Sequence, residues 1–327
     1  MLHNNTPPGP SYQEDEAIAV VSISGGKDSL ATALLALERY GDSRVSLVHA
    51  DTGHEHPLTE RYVRDYLPGV LNKEIHIVKA DFSDKILQKR EIVKTKWVSD
   101  EVPDEVVRAA LSVLQPTGIP FLDLCLWKGR FPSSRAQFCT RELKTVPLEK
   151  YLLMQKEKRY GFQIESWQGV RRDESRNRSE AALWEIGDFG GWIHRPIIHW
   201  SAQDAFGIAK KHGVDPNPLY KLGLSRVGCM PCINARKNEI AEISRRWPDV
   251  IDRIDQWEKT VSGAARRGFS TFFSLESGDG RTPSEYFKGN TFGQVILWSI
   301  TSRGGRQLDI EQVVPPKECS SQYRLCE

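Results

Sequence analysis

Ser24-Gly25-Gly26-Lys27-Asp28-Ser29 puts two hydroxyls, two adjacent glycines, one cation and one carboxylate into six residues, between the apolar run Ala17–Val21 and a helical pattern that begins at Leu30. Adjacent glycines leave their backbone N–H groups uncovered and free to take unusual φ/ψ, and the following helix adds unpaired N–H groups and the positive end of its dipole. Such a turn can hold a phosphate. Its spacing is neither G-x-x-x-x-G-K-[ST] nor G-x-G-x-x-G, so kinase, GTPase and dehydrogenase readings recede.

The elements that must position this turn follow from periodicity. A helix over Asp28–Tyr40 carries Leu30, Leu34 and Leu37 on one face and stops at Gly41, and a second strand, Val45–Ala50, runs into Asp51-Thr52-Gly53. Loops after the carboxyl ends of parallel strands bind ligands in open α/β sheets, which places Asp51 to meet a nucleotide. His54-Glu55-His56 could be a metal triplet, but such loop residues are more often solvated polar groups. Helix Leu58–Leu67, strand Glu74–Ala80, helix Phe82–Lys94 and a helical stretch near Asp104–Leu114 continue the alternation, with further strands at Gly161–Trp167 and Trp192–Ile198. Ser201 and Asp204 have the form of a helix start. The pattern predicts an α/β fold, a doubly wound parallel sheet with a helical, irregular C-terminal extension. Residues 1–16 are polar, Pro-rich and expected to be disordered; 17–235 form the nucleotide-binding domain; 236–327 are helical to Arg267 and irregular beyond it.

A chain of 327 residues can bury a full core, and its net charge of +2 announces no nucleic-acid binder. The charge is local, however: residues 130–178 carry 12 Lys/Arg against 6 Asp/Glu, so this stretch could meet phosphates or be a solvated helical face. No apolar run is long enough for a membrane span, and the N-terminus has no secretory pattern, so a cytoplasmic protein is expected. Six cysteines in such a chain argue for metal or redox chemistry rather than a disulfide framework. Cys229 and Cys232 form a C-x-x-C, and a thioredoxin-like pair belongs elsewhere in a βαβ unit. Thiolates converging from distant segments would suit an iron–sulfur cluster or a structural zinc. Cys125, inside the apolar run Phe121–Trp127, reads as a core thiol.

Several segments together resemble the phosphoadenosine phosphosulfate (PAPS) reductase family of the adenine nucleotide α-hydrolase superfamily. They are Ser24–Ser29, Asp51–Pro57, Phe138–Leu148, Gly169–Ser175 and Asn217–Tyr220 running into Gly228–Cys232, in the family's order, with a weaker match at Cys319 and Cys326. The loop is similar to the pyrophosphate loop of enzymes that split ATP between its α and β phosphates. The resemblance implies that Ser24, Gly25, Gly26 and Ser29 hold the β and γ phosphates, that Lys27 neutralises the leaving pyrophosphate, and that Asp28 either touches Mg²⁺ or caps the helix. It further implies that Arg171 and Arg172 face the α-phosphate or the acceptor, and that Asp51 faces the nucleoside. Cys139, Cys229 and Cys232, with Cys319 or Cys326 as fourth ligand, would hold an iron–sulfur cluster of the 4Fe–4S type, or zinc.

Sulfonucleotide reductases have a modified loop, whereas this chain keeps the ATP-splitting form, and only Phe138 precedes Cys139 where cluster-bearing reductases pair two cysteines. Both departures point to family members that activate a substrate with ATP and transfer sulfur, as DndC-like proteins of DNA phosphorothioation and phage- or CRISPR-borne CysH-like proteins do. The expected partners are ATP, nucleic acid as acceptor (contacted by Arg135, Arg141 and Lys144), a sulfur donor or reductant protein, and further copies or complex members. The alternatives are a thiol-dependent sulfonucleotide reductase and a non-catalytic nucleotide-binding partner of a defence complex.

Overall fold

A computed structural model describes residues 9–174, 178–273, 285, 289–302 and 307–308. Six strands form one sheet: β1 Ala17–Ser22, β2 Val45–Asp51, β3 Ile75–Lys79, β4 Gln163–Trp167, β5 Trp184–Ile186 and β6 Trp192–His194, in the order β3-β2-β1-β4-β6-β5. The pairs β2–β3, β1–β2, β1–β4 and β4–β6 are parallel. Both faces are covered, which is why β1 is an unbroken apolar run. Alternate residues serve opposite faces: Ala17, Ala19 and Val21 join the core under helix α1 (Lys27–Tyr40) and helix Ala202–Lys211, while Ile18 and Val20 pack with Tyr151 and Leu152 of helix Val146–Lys158.

The sheet departs from the all-parallel expectation at one edge. Strand β5 runs antiparallel to β6, turned by Gly187–Gly191, and β6 ends at His194 rather than continuing to residue 198. Strand order reverses between β1 and β4, the position where an open α/β sheet leaves a ligand crevice.

A second core lies beside the sheet. Phe82, Trp97, Phe121 and Leu143 from the middle of the chain interleave there with Ile254, Trp257, Phe272 and Phe292 from its C-terminal third. Three helical stretches contain a π turn, at Tyr62–Tyr66, Val93–Trp97 and Arg141–Thr145. Each wider turn rotates the side chains after it out of 3.6-residue phase. The capping box expected at Ser201 and Asp204 is present. No helix among the described residues is long and apolar enough to cross a membrane.

Candidate functional site

The turn after β1 is a built loop. Ile23 N–H bonds the Val48 carbonyl at 2.8 Å and His49 Nδ1 lies 2.7 Å from the Ile23 carbonyl, tying the loop's entry to β2. Gly25 has φ +79°, and a Cβ there would stand 2.9 Å from Thr59 Cγ2, so both backbone conformation and space demand glycine. The Ser29 hydroxyl donates to the Gly26 carbonyl at 2.9 Å and its oxygen accepts from the Ser24 N–H at 3.1 Å. Two residues from more than 190 positions later in the chain brace the loop. Asn217 Nδ2 donates to the Gly25 carbonyl at 3.2 Å, and the Lys27 N–H donates to Tyr220 Oη at 2.9 Å. The reading from sequence assigned neither a role, although Asn-Pro at a helix start was visible.

Lys27, Asp28 and Arg171, expected at the reacting phosphates, form one charge chain. Lys27 Nζ lies 3.4 Å from Asp28 Oδ2, Arg171 Nε lies 2.6 Å from Asp28 Oδ1, and Arg171 Nη1 also pairs with Asp173. Burial alone would pull the Arg171 guanidinium down; Asp28 and Asp173 outweigh it and hold the group above its usual value. Gly169 makes this approach possible, since a Cβ there would lie 2.7 Å from the backbone carbon and oxygen of Asp28. Arg172 does not join its neighbour. Its Nε and Nη2 bond the Ala181 carbonyl at 3.1 and 2.9 Å, so it fastens the loop leading to β5.

Asp51 is brought to the carboxyl end of β2, 4 % exposed, with both oxygens engaged. Lys79 Nζ at 2.9 Å and Arg64 Nη2 at 2.5 Å hold Oδ2, and the Gly53 N–H donates to Oδ1 at 2.9 Å. Burial would raise its pKa, but these partners together hold it below the ordinary carboxylate range. Asp51 therefore orders the Thr52-Gly53 turn instead of offering a free carboxylate to a nucleoside.

The three described candidate thiols gather around a lysine. Lys144, expected on the surface, is carried inward by the π turn Arg141–Thr145 to face Cys229, Glu55, Cys232 and Cys139; these, Cys229 foremost, hold its ammonium above its usual value. Cys229 Sγ lies 3.6 Å from Thr52 Oγ1 and 3.9 Å from Glu55 Oε1, and Glu55 pairs with Cys229 in an isolated β-bridge. Burial pushes the Cys229 thiol up to about 11, against the pull of Lys144, and burial also raises Cys139. Cys125 is fully buried, as a core thiol should be. Among the described residues no three His, Cys, Asp or Glu are arranged to hold a metal, so these residues alone do not fit a cluster or zinc; Cys319 and Cys326 lie outside them.

His54, Glu55 and His56 are neither a metal triplet nor solvated. All three are buried. His54 stacks on Phe121 at 4.3 Å and its Nε2 lies 2.8 Å from the Pro231 carbonyl; burial, then the charge of Arg253, lowers its pKa to about 3. His56 caps helix Pro57–Arg61 through a bond from the Leu58 N–H.

At the reversal of strand order a crevice of about 210 Å³ opens at the ends of β1 and β4, with Ser22, Ser166, Gln168, Lys144, Glu149 and Phe189 on its wall. A larger cleft of about 500 Å³ lies beside Tyr62, Tyr66 and Lys221, and neither cavity has any of Ser24–Ser29 on its wall. We place the site at the crevice, where the polar groups converge.

The phosphoadenosine phosphosulfate reductase domain profile matches residues 18–109 and 123–235, a span that includes the loop, Cys139, Arg171 and the C-x-x-C. An uncharacterised 37.8 kDa protein of Escherichia phage 186 is 43% identical over 332 residues, covering 96% of this chain and 98% of the relative. An adenosine 5'-phosphosulfate reductase of Halalkalibacterium halodurans is 25% identical over 156 residues, 47% of this chain and 64% of that protein. The crystal structure of phosphoadenylyl-sulfate reductase from Candida auris, a phosphate complex, covers 64% of this chain and 80% of its own at 15% identity and a TM-score of 0.38. With the profile spanning more than half of its length, the chain belongs to the phosphoadenosine phosphosulfate reductase family.

Proposed function

We propose that the chain binds an adenine nucleotide with its phosphates at the N-terminus of α1 and cleaves ATP between the α and β phosphates, adenylating an acceptor. The observation that supports this most is the joining of Lys27, Asp28 and Arg171 at a glycine loop in the ATP-splitting form. The acceptor nucleophile attacks the α-phosphorus and the α–β bridging bond breaks. Pyrophosphate leaves with the electron pair, its charge met by Lys27 and the loop N–H groups. Such catalysis is mainly positioning and electrostatics. Mg²⁺ arriving with the nucleotide would neutralise phosphate oxygens. Nucleic acid is the proposed acceptor class, with sulfur transfer following activation.

The thiols beside the crevice, together with the named reductases among the relatives, favour a second reading, thiol-dependent reduction of a sulfonucleotide. Incubation with ATP and Mg²⁺, and separately with adenosine phosphosulfate or its 3'-phosphate plus a dithiol, tests both. AMP and pyrophosphate from ATP support the first; sulfite supports the second; ADP and orthophosphate sink the α–β assignment. Iron and acid-labile sulfide measured on anaerobically purified protein, with and without Cys319→Ser and Cys326→Ser, test whether a tail thiol completes a cluster.

A further inference from the structure

Three N–H groups of the phosphate loop are already paired. Those of Ser24 and Gly26 bond hydroxyls of the loop itself, at 3.1 and 3.4 Å, and would travel with it. That of Lys27 bonds Tyr220 Oη at 2.9 Å, a partner 193 residues away. The same tyrosine holds the Lys27 side chain: Nζ lies 5.6 Å from the Tyr220 ring centroid and 6.0 Å from that of Phe206, and only 10% of the side chain is exposed. Tyr220 is itself 2% exposed and set edge-on against Phe206 at 5.2 Å, so its hydroxyl is held where it is by packing. An anion seated at the start of α1 needs the first N–H groups of that helix. One of them, on the lysine the proposed reaction depends on, is taken by a neutral hydroxyl.

Resting on the nucleotide reading above, we propose that Tyr220 is a positioning residue that competes with phosphate for the Lys27 N–H, so that nucleotide entry requires the hydroxyl to give way. The displacement has a route to the thiols. Tyr220 opens the segment that passes Val227, whose carbonyl oxygen stands 3.5 Å from where a Gly26 Cβ would be, and reaches Cys229 two residues later. Asn217, three residues before Tyr220, acts in the opposite sense: its amide braces the Gly25 carbonyl and Thr59, and it occupies no donor that an anion would use.

The test is calorimetric titration of the full-length protein with sodium pyrophosphate, comparing wild type, Tyr220→Phe and Asn217→Ala, with thermal unfolding measured alongside. Tyr220→Phe keeps the ring and removes only the competitor; the net worth of one hydrogen bond predicts binding roughly 2- to 10-fold tighter. The unfolding midpoint of Tyr220→Phe should fall without pyrophosphate, where the Lys27 N–H loses its partner, and its rise on adding pyrophosphate should exceed that of wild type. Asn217→Ala should bind more weakly. If Tyr220→Phe bound pyrophosphate equally or more weakly, in step with Asn217→Ala, the hydroxyl would be scaffold or a ligand contact, and the competition idea would be overturned. If wild type showed no saturable binding at millimolar pyrophosphate while remaining folded, the nucleotide reading itself would fail and take this inference with it.

Discussion

Arg171 Nε lies 2.6 Å from Asp28 Oδ1, joining the second helical residue of α1 to a loop 143 positions later in the chain. With 4% of the Arg171 side chain and 16% of Asp28 exposed, the pair is substantially desolvated, and removing one partner leaves the other's charge uncompensated. Arg171→Met should therefore lower unfolding free energy by about 3 kcal/mol and abolish nucleotide cleavage. Arg172→Ala, which frees only the Ala181 carbonyl, should cost about 1 kcal/mol and leave measurable turnover. Denaturant melts of the two variants, run with a product assay, rank them; equal losses would contradict the separation of their roles.

Lys27→Ala should slow release of AMP and pyrophosphate by roughly 30- to 1,000-fold, the range for losing about 2–4 kcal/mol of transition-state charge stabilisation. The far-ultraviolet circular dichroism should be unchanged, since the truncation removes no backbone hydrogen bond of α1 or the sheet. Turnover within threefold of wild type would remove Lys27 from the mechanism.

Two glycines make opposite predictions. Gly169→Ala places a Cβ 2.7 Å from the Asp28 backbone, and relief requires α1 to shift, at about 1–3 kcal/mol with loss of nucleotide binding. Gly207→Ala, inside helix Ala202–Lys211 with nothing within 4 Å of the new methyl, should stabilise by about 0.5–1 kcal/mol. Chemical denaturation reads both signs.

Glu258 is fully buried in the second core, where its two oxygens accept the N–H groups of Phe272 at 2.7 Å and Phe292 at 2.9 Å. Burial raises its pKa from 4.5 to about 7, with the two N–H bonds pulling the other way. The folded state thus holds this proton more tightly than the unfolded chain does. Its contribution to stability is greatest below pH 4.5, declines as pH rises to about 7, and is level above that. Glu258→Gln should flatten this decline, by up to about 3 kcal/mol, in unfolding free energies measured across the window. An unchanged pH profile in the variant would show that Glu258 does not titrate there.

The nucleic-acid acceptor makes a salt prediction. Arg135 and Arg141 are exposed, so Arg135→Glu with Arg141→Glu should weaken binding to DNA or RNA and lower the log–log salt slope by roughly one unit per lost phosphate contact. No binding at about 50 mM salt in wild type, with ATP cleavage intact, would move the acceptor to a small molecule.

Local pattern carried much of the fold. The unbroken apolar run of β1, the leucine face of α1 and the Ser201 cap were legible because each depends on residues within a few positions of one another. Two of the loop's partners were not, since Asn217 and Tyr220 reach it from 192 and 193 residues away, and Arg171 was placed there only by the family resemblance. Lys144 was misplaced for a different reason. A charge count treats every lysine as solvated, and the π turn at Arg141–Thr145 changes the face a helical pattern would assign to it. His54 reads as a polar loop residue until Phe121, Trp257 and Phe272 arrive from distant segments to bury it.

The interleaving of Phe121 and Leu143 with Ile254, Trp257 and Phe292 bears on how the protein can be divided. The family match ends at residue 235, and that is a natural place to cut when preparing a minimal catalytic fragment. A chain stopped there would keep every loop and thiol residue discussed for the site within the described structure, yet it would take Trp257 and Phe272 away from His54, leaving only Phe121, and open about a third of a hydrophobic core to water. Such a fragment should aggregate rather than catalyse. The unit that the family profile matches and the unit that folds are different lengths of this polypeptide.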